Sequence, residues 1–251
     1  MRNGTPHLSS LKRTLAMLEA VIGDGSRSNL TDLAEAAGIP LATAHRQVTT
    51  LVAEGYLRSV GRGRHVAGPR LLNLLHRLDE KQVVANVAAP VLDRLAMRVR
   101  AIAQLGTLEG DMVTYRIKTG HGAAGLFTKV GMQLEAYCSG IGKVLLASLP
   151  EAERKAYLAA GPFVPLTPRT IVDPRQLAAE LDRVRVQGHA FDDGEVAEGI
   201  YCVAVPIHLP DGAVLAAISV TQADAASGLA PEEVLPLLLN AGSEIENLAF
   251  G

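Results

Sequence analysis

Two stretches of this 251-residue chain carry groups at spacings that suit chemistry. In the first, "CSGIGKVLLASL", Ser139, Gly140, Ile141 and Gly142 stand directly before an apolar helical run. Backbone N–H groups at a helix start, approached closely where glycine has no Cβ, make an anion site that suits a carboxylate. The same glycines serve equally as a permitted turn that binds nothing. A Walker-type phosphate loop is excluded, because Tyr137 stands where its first glycine belongs and Val144 where its Ser or Thr would follow Lys143.

The second stretch is "DLAEAAGIPLATAHRQVTTLVAEGYL", in which Gly38-Ile39-Pro40 separates two short amphipathic runs. On a helical wheel of the later run, Ala44, Leu51 and Val52 fall near Val48 and form a core stripe. Thr43, Arg46 and Thr50 fall opposite, with His45 and Gln47 on the flanks. A guanidinium forks onto guanine in the major groove, and threonine hydroxyls and methyls suit base edges. A solvated helix face is the bland alternative, but Arg58, Arg62, Arg64 and His65 follow at once on a short glycine-rich hairpin. A basic hairpin beside such a helix reaches phosphates or the minor groove.

Other candidates are weaker. Asp192-Asp193 with Glu195 is oxygen-rich but lacks a second ligand set, so no metal site is assigned. Cys138 and Cys202 are too far apart for a metal or redox pair. An enzyme acting on a small carboxylic acid, with Cys138, Cys202 or Ser139 as nucleophile, is the rival reading. No GxSxG elbow surrounds these residues and no histidine stands in a motif with them, so no catalytic residue and no cofactor is assigned.

The elements that must hold these groups follow from periodicity. Ser9 or Ser10 is expected to cap a first helix with Leu11, Leu15, Leu18 and Ile22 on its inner face and Gly23 at its end. Thr31 is expected to cap a second helix that buries Leu33, Ala34 and Ala37. A third runs to about Glu54, and "YLRSVGRGRHVAG" reads as a hairpin around Gly61-Arg62-Gly63. Three helices and a hairpin make a winged helix-turn-helix over residues 1–70. Residues 71–83 read as a linker helix, and "VAAPVLDRLAMRV" supplies another helix after Val84. Residues 84–251 then mix two hairpins, "AIAQLGTL" with "MVTYRIKT" and "CVAVPIHL" with "AVLAAISVT", with helices after Gly142, after Pro174 and from Pro231 to Phe250. The expected class is α+β on an antiparallel sheet.

Charge divides the same way. The chain carries a net −2, yet Met1 to Arg77 holds a surplus of five positive charges and the remainder a deficit of seven. The first part suits a polyanion and the second would repel one. The first residues have no apolar core of a signal peptide and no apolar run is long enough to span a bilayer, so a cytoplasmic protein is expected.

"SLKRTLAMLEAV", "LTDLAEAAGIPLATAHRQVTTLVAEGYL" and "RHVAGPRLLNL" resemble, in order and spacing, the amino-terminal domain of IclR-type bacterial transcriptional regulators. "SGIGKVLLASLP", "LTPRTIVDP", "FDDGEVAEGIYCVAVPI" and "DGAVLAAISV" extend the resemblance over nearly the whole chain. It implies a GAF-like effector-binding domain behind the linker, a small-molecule effector, double-stranded operator DNA as partner, and assembly as a homodimer or dimer of dimers. It also implies that Asp192, Ile200 and Cys202 line the effector cavity. An acid near an anion site accepts from a ligand hydroxyl or stays protonated by burial. The chain departs from the family at Tyr137, where a histidine is common, at Leu41, where a lysine is frequent, and at Gly194, where an acid is frequent. Leu71, Leu75 and Leu78 of the linker are the expected dimer contact, since one recognition helix reads only a few base pairs.

Overall fold

The computed structural model describes residues 7–222 and 229–251. The first six residues of the expected 1–70 domain lie outside them. The chain forms two compact units, Met1–Asp79 and Glu80–Gly251.

The first unit contains α1 (Ser9–Asp24), α2 (Leu30–Ala36), α3 (Leu41–Ala53), the antiparallel pair β1 (Leu57–Gly61) and β2 (Arg64–Ala67), and α4 (Pro69–Arg77). Its core joins Met17 and Val21 of α1, Leu30 and Ala34 of α2, Ala44, Val48 and Leu51 of α3, and Leu57 of β1. The inner face of α1 is therefore not the expected one. Leu11, Leu15 and Ile22 stay exposed, only Leu18 of the expected four packs against the core, and Met17 and Val21 are buried one helical step away. Neither serine caps α1: Leu8 holds the N-cap position without a side-chain bond, and Gly25 rather than Gly23 takes the left-handed C-terminal conformation. Asn29, not Thr31, caps α2, its Oδ1 accepting from the N–H groups of Thr31 and Asp32 at 2.9 and 3.1 Å. Ala37 is exposed, and Leu33 only half-buried.

Segment 71–83 is not one helix. α4 ends at Arg77, Leu78 is extended with ψ 119°, and a new helix starts at Glu80. No residue of α4 is buried, and Leu72, Leu74, Leu75 and Leu78 are all exposed.

The second unit contains α5 (Glu80–Val99), β3 (Ile102–Glu109), β4 (Met112–Gly120), β5 (Gln133–Glu135), α6 (Gly140–Ser148), α7 (Glu151–Ala159), α8 (Pro174–Gln187), β6 (Ala190–Asp193), β7 (Tyr201–His208), β8 (Val214–Gln222) and α9 (Pro231–Phe250). The strands form one antiparallel sheet in the order β5-β4-β3-β8-β7-β6. Because side chains alternate along a strand, the sheet has two distinct faces. Ala103, Leu105, Val203, Val205, Ile218 and Val220 pack against α5 and α9 in one aliphatic core. The opposite face meets α6 through Ala190, Ala204 and Ala217, where small side chains let the helix approach closely, and α8 packs on α6.

Candidate functional site

The first candidate surface is α3 with the β1–β2 wing. Ile39 and the stripe Ala44, Val48 and Leu51 fix α3 in the core, which turns His45, Arg46, Thr49 and Thr50 to solvent. Thr43 is half-buried, shifted from the fully outward place that the wheel gives it. The Thr50 hydroxyl donates to the Arg46 carbonyl at 2.9 Å, so its lone pairs and methyl remain for a partner. At the wing tip Arg62 and Gly63 both adopt left-handed turn conformations, with φ 53° and 69°. The Leu30 N–H donates to the Gly63 carbonyl at 3.0 Å and ties the tip to the start of α2. Arg62 and Arg64 are exposed. Among the described residues none of Arg46, Arg58, Arg62 and Arg64 pairs with a carboxylate. Partial burial, with the nearby His45 ring adding to it, holds the His65 imidazole below its ordinary pKa. The positive charge of the wing is thus carried by guanidinium groups, in their unpaired state a ready match for phosphate.

The second candidate site lies on the face of the sheet that α6 covers. Strand register sets Asp192 opposite Cys202, Cys202 opposite Thr221, and Gln104 opposite Ser219. A polar row thus crosses four strands that are otherwise aliphatic on this face. Cys202 Sγ lies 3.1 Å from Thr221 Oγ1, which donates to Gln104 Oε1 at 3.1 Å, while Gln104 Nε2 donates to Thr128 Oγ1 at 2.8 Å. Ser139, Gly140, Ile141, Asp192, Ile200 and Cys202 come together on one cavity wall, with Tyr115, Gln104, Thr128, Val196, Ser219 and Thr221.

Gly142 is not on that wall. Its N–H is taken by the Ser139 Oγ cap at 3.1 Å, and a Cβ there would meet the Ala136 carbonyl at 2.0 Å. The glycine is required by the tight approach of α6 to the preceding turn, which is why its spacing looked like part of a ligand loop. Among the described bonds the N–H groups of Gly140 and Ile141 have no protein acceptor, and only these two remain for an anion. Tyr137 and Cys138 also lie off the wall; the Tyr137 hydroxyl donates to the Val164 carbonyl at 2.8 Å.

Asp192 is 1 % exposed, and its Oδ1 accepts from the Glu195 N–H at 2.7 Å while Oδ2 has no hydrogen-bond partner among the described residues. Burial lifts this carboxyl to about 7. Burial also pushes the Cys138 thiol up to about 12 and raises the Cys202 thiol and Tyr115 phenol. Protonated thiols of this kind are poor nucleophiles. Glu195 does not face a cation site: Lys143, 1 % exposed, pairs with Glu195 at 2.5 Å and with Glu180 at 3.2 Å. Among the described residues no group of histidines, cysteines and acids has the arrangement of a metal site.

The cavity is almost filled by its own side chains. Its void is about 20 Å³, against ~150 Å³ for a cavity that takes up benzene. Leu126, Phe127 and Thr128 close it from the β4–β5 connection, which Lys118 fastens by donating Nζ to the carbonyls of Leu126, at 2.7 Å, and Thr128. The sequence reading missed Gln104, Tyr115, Thr128, Ser219 and Thr221. A usable signal was present in lone polar residues at period two inside aliphatic strands, as in "AIAQLGTL" and "AAISVT".

Residues 76–246 match the family described as "Bacterial transcriptional regulator IclR C-terminal", and residues 10–61 match the "IclR helix-turn-helix domain". The Pca regulon regulatory protein of Pseudomonas putida is 32% identical over 248 residues, covering 97% of this chain and 85% of that protein. The Escherichia coli (strain K12) regulator XynR is 30% identical, with 86% of each chain covered. Among solved structures, the Thermotoga maritima IclR is 27% identical with a TM-score of 0.62, covering 96% of this chain and 98% of that one. An IclR homolog from Microbacterium hydrocarbonoxydans complexed with 4-hydroxybenzoate is 28% identical, with a TM-score of 0.62 and coverage of 96% and 99%. Among the described residues no helix is long and apolar enough to cross a membrane. With both of its units matched, a winged helix-turn-helix ahead of an antiparallel-sheet domain, the chain belongs to the IclR family of DNA-binding transcriptional regulators.

Proposed function

We propose that this regulator binds a double-stranded operator and that a small carboxylic acid, held in the cavity beside α6, changes its operator affinity without being consumed. Thr43, His45, Arg46 and Thr50 of α3 meet the major groove, and Arg62 and Arg64 of the wing meet the adjacent backbone. In the cavity, the N–H groups of Gly140 and Ile141 with Ser139 receive the carboxylate, Asp192 meets the ligand's other polar group, and Ile200 and Cys202 flank its apolar body. The observation that carries the reading is Asp192 Oδ2, buried at one end of the polar row and without a hydrogen-bond partner among the described residues. A carboxyl near 7 at neutral pH either donates its proton to an acid or accepts from a hydroxyl. The Microbacterium relative complexed with 4-hydroxybenzoate supports a ligand with both groups.

The rival enzyme reading finds no activated nucleophile. Both thiols are raised by burial, and among the described residues the cavity wall holds no histidine, lysine or arginine. No cofactor or metal is required. The protein acts as a homodimer or dimer of dimers in the cytoplasm, with two recognition helices on two half-sites. The test is a thermal-shift screen of aliphatic and aromatic acids with the full-length protein, followed by gel shifts on DNA flanking its gene. A ligand at about 100 times its Kd stabilises by ~2.7 kcal/mol. The expected result is an acid that stabilises the protein, shifts operator affinity and is recovered unchanged; conversion of that acid to product refutes the reading.

A further inference from the structure

Among the described residues the cavity wall holds no cation, yet a wider cleft beside it has three basic side chains. Arg98, Arg100 and His121 line this cleft of about 630 Å³, which shares Leu126, Ile200 and Thr221 with the smaller cavity. Among the described residues none of the three basic groups pairs with a carboxylate. They come from two different elements: Arg98 and Arg100 from the end of α5, His121 from the β4–β5 connection that covers the cavity.

Arg100 is the informative residue. It follows the last turn of α5 with φ 51°, and the Ala101 N–H closes the turn onto the Ala96 carbonyl at 3.2 Å. Glycine is favoured in that position, and an L side chain there costs on the order of 1 kcal/mol. Cations do suit a helix C-terminus, which accounts for Arg98 in the last turn. That attraction explains neither the choice of a strained arginine over glycine nor the imidazole delivered from another element. Strain held where a functional group is delivered is the pattern of a site.

We propose that the Arg98–Arg100–His121 cleft is a carboxylate-binding subsite at the mouth of the effector cavity. It collects the acid before the acid enters the cavity and supplies the positive charge that the inner wall lacks. The assignment rests on the carboxylic-acid reading of the cavity. Opposite charges lining a concave surface raise the local ligand concentration and hence the association rate.

The probe is benzoate, added at millimolar concentration to the full-length protein, with NMR signals of the Arg98 and Arg100 side chains and of the Gly140 amide followed separately. Benzoate is expected to shift the arginine signals saturably. Arg98→Gln and Arg100→Gly should each weaken that binding about tenfold, the factor that losing a charge-assisted pair worth ~1.4 kcal/mol produces. Arg100→Gly should at the same time leave the melting temperature unchanged or raise it, because its strain is relieved; a drop would assign Arg100 to holding the helix end and overturn the proposal. Shifts at Gly140 without shifts at Arg98 and Arg100 also overturn it and leave the cavity reading standing. Shifts at the arginines alone defeat the cavity reading and overturn the assignment to a cavity mouth, leaving an independent carboxylate site in the cleft. Inorganic phosphate binding in the cleft more tightly than benzoate would overturn the assignment to carboxylates.

Discussion

Asp192→Asn should make the stability of this protein respond differently to pH, by an amount fixed by the burial of one carboxyl. Asp192 is 1 % exposed and is lifted from its ordinary 3.8 to about 7, mainly by loss of solvation. Below 3.8 both the folded and the unfolded chain hold the proton, and the benefit of the neutral acid to the fold is complete. As pH rises from there the unfolded chain releases its proton first, and the benefit is lost progressively until the folded carboxyl also ionises near 7. At ~1.4 kcal/mol per pH unit this window corresponds to about 4 kcal/mol. Asparagine keeps the oxygen that accepts from the Glu195 N–H and cannot ionise. Four of the five tyrosines lie in the second unit, so tyrosine fluorescence during urea unfolding reports on it. Between about pH 5 and 7 the asparagine variant should gain on the wild type by ~1.4 kcal/mol per pH unit, with the gain levelling off above the folded pKa. A stability difference that stays flat over this range refutes the argument, since it would mean that the carboxyl is solvated or already paired in the folded state.

Further outcomes follow from the two candidate sites. Arg46→Ala should weaken specific operator binding by about 1–3 kcal/mol and relax base preference, whereas Arg62→Ala and Arg64→Ala should weaken specific and random duplexes alike and each reduce the salt slope by about one; gel shifts at several salt concentrations separate the two, and equal losses for Arg46→Ala on both duplexes would remove it from base reading. Gly142→Ala should lower thermal stability rather than ligand affinity in the fraction that folds, because its Cβ meets the Ala136 carbonyl at 2.0 Å; an unchanged melting temperature with lost ligand binding would return Gly142 to the ligand loop. Gly140→Val should abolish ligand binding in calorimetry while DNA binding persists, since a Cβ there already lies 3.3 Å from that of Ala204 and 3.6 Å from that of Cys202; undiminished affinity would place the carboxylate elsewhere. Charged replacements of the exposed Leu75 and Leu78, both over half exposed, should shift the protein toward monomer in sedimentation if α4 forms a subunit contact, and an unaltered assembly would clear that helix.

Elements with a clean period were legible. The hairpins on either side of Gly110 and of Gly212 and the helix Pro231–Phe250 appear where alternation and the opening proline put them. Short elements were not: β5 and β6 have three and four residues, too few for alternation to stand out, and their place is set by the partner strands. The face of α1 was misread because its sequence has two apolar stripes, Leu11-Leu15-Ile22 and Met17-Val21, and period alone does not say which one meets the core. At the cavity, the segments around Ser139 and Asp192 stood out as glycine and acid motifs, whereas Gln104, Ser219 and Thr221 acquire meaning only through register across the sheet. Gly142 is the reverse case, a glycine that backbone crowding against Ala136 accounts for without a ligand.

The two surfaces of this protein should drift at different speeds as a lineage acquires new tasks. On α3 the side chains that secure the fold and those that face outward occupy opposite sides, and Arg46 touches no carboxylate. Replacing outward residues therefore leaves the fold intact, and a new target sequence is within reach of single substitutions. The cavity wall offers no such freedom. Thr221, Gln104 and Thr128 bond to one another and Cys202 joins the same row, so one replacement strands a buried partner, at a cost of about 1–3 kcal/mol. A change of ligand then requires coordinated substitutions on several strands. Descendants of such a chain are expected to move to new promoters readily and to change the molecule they answer to rarely.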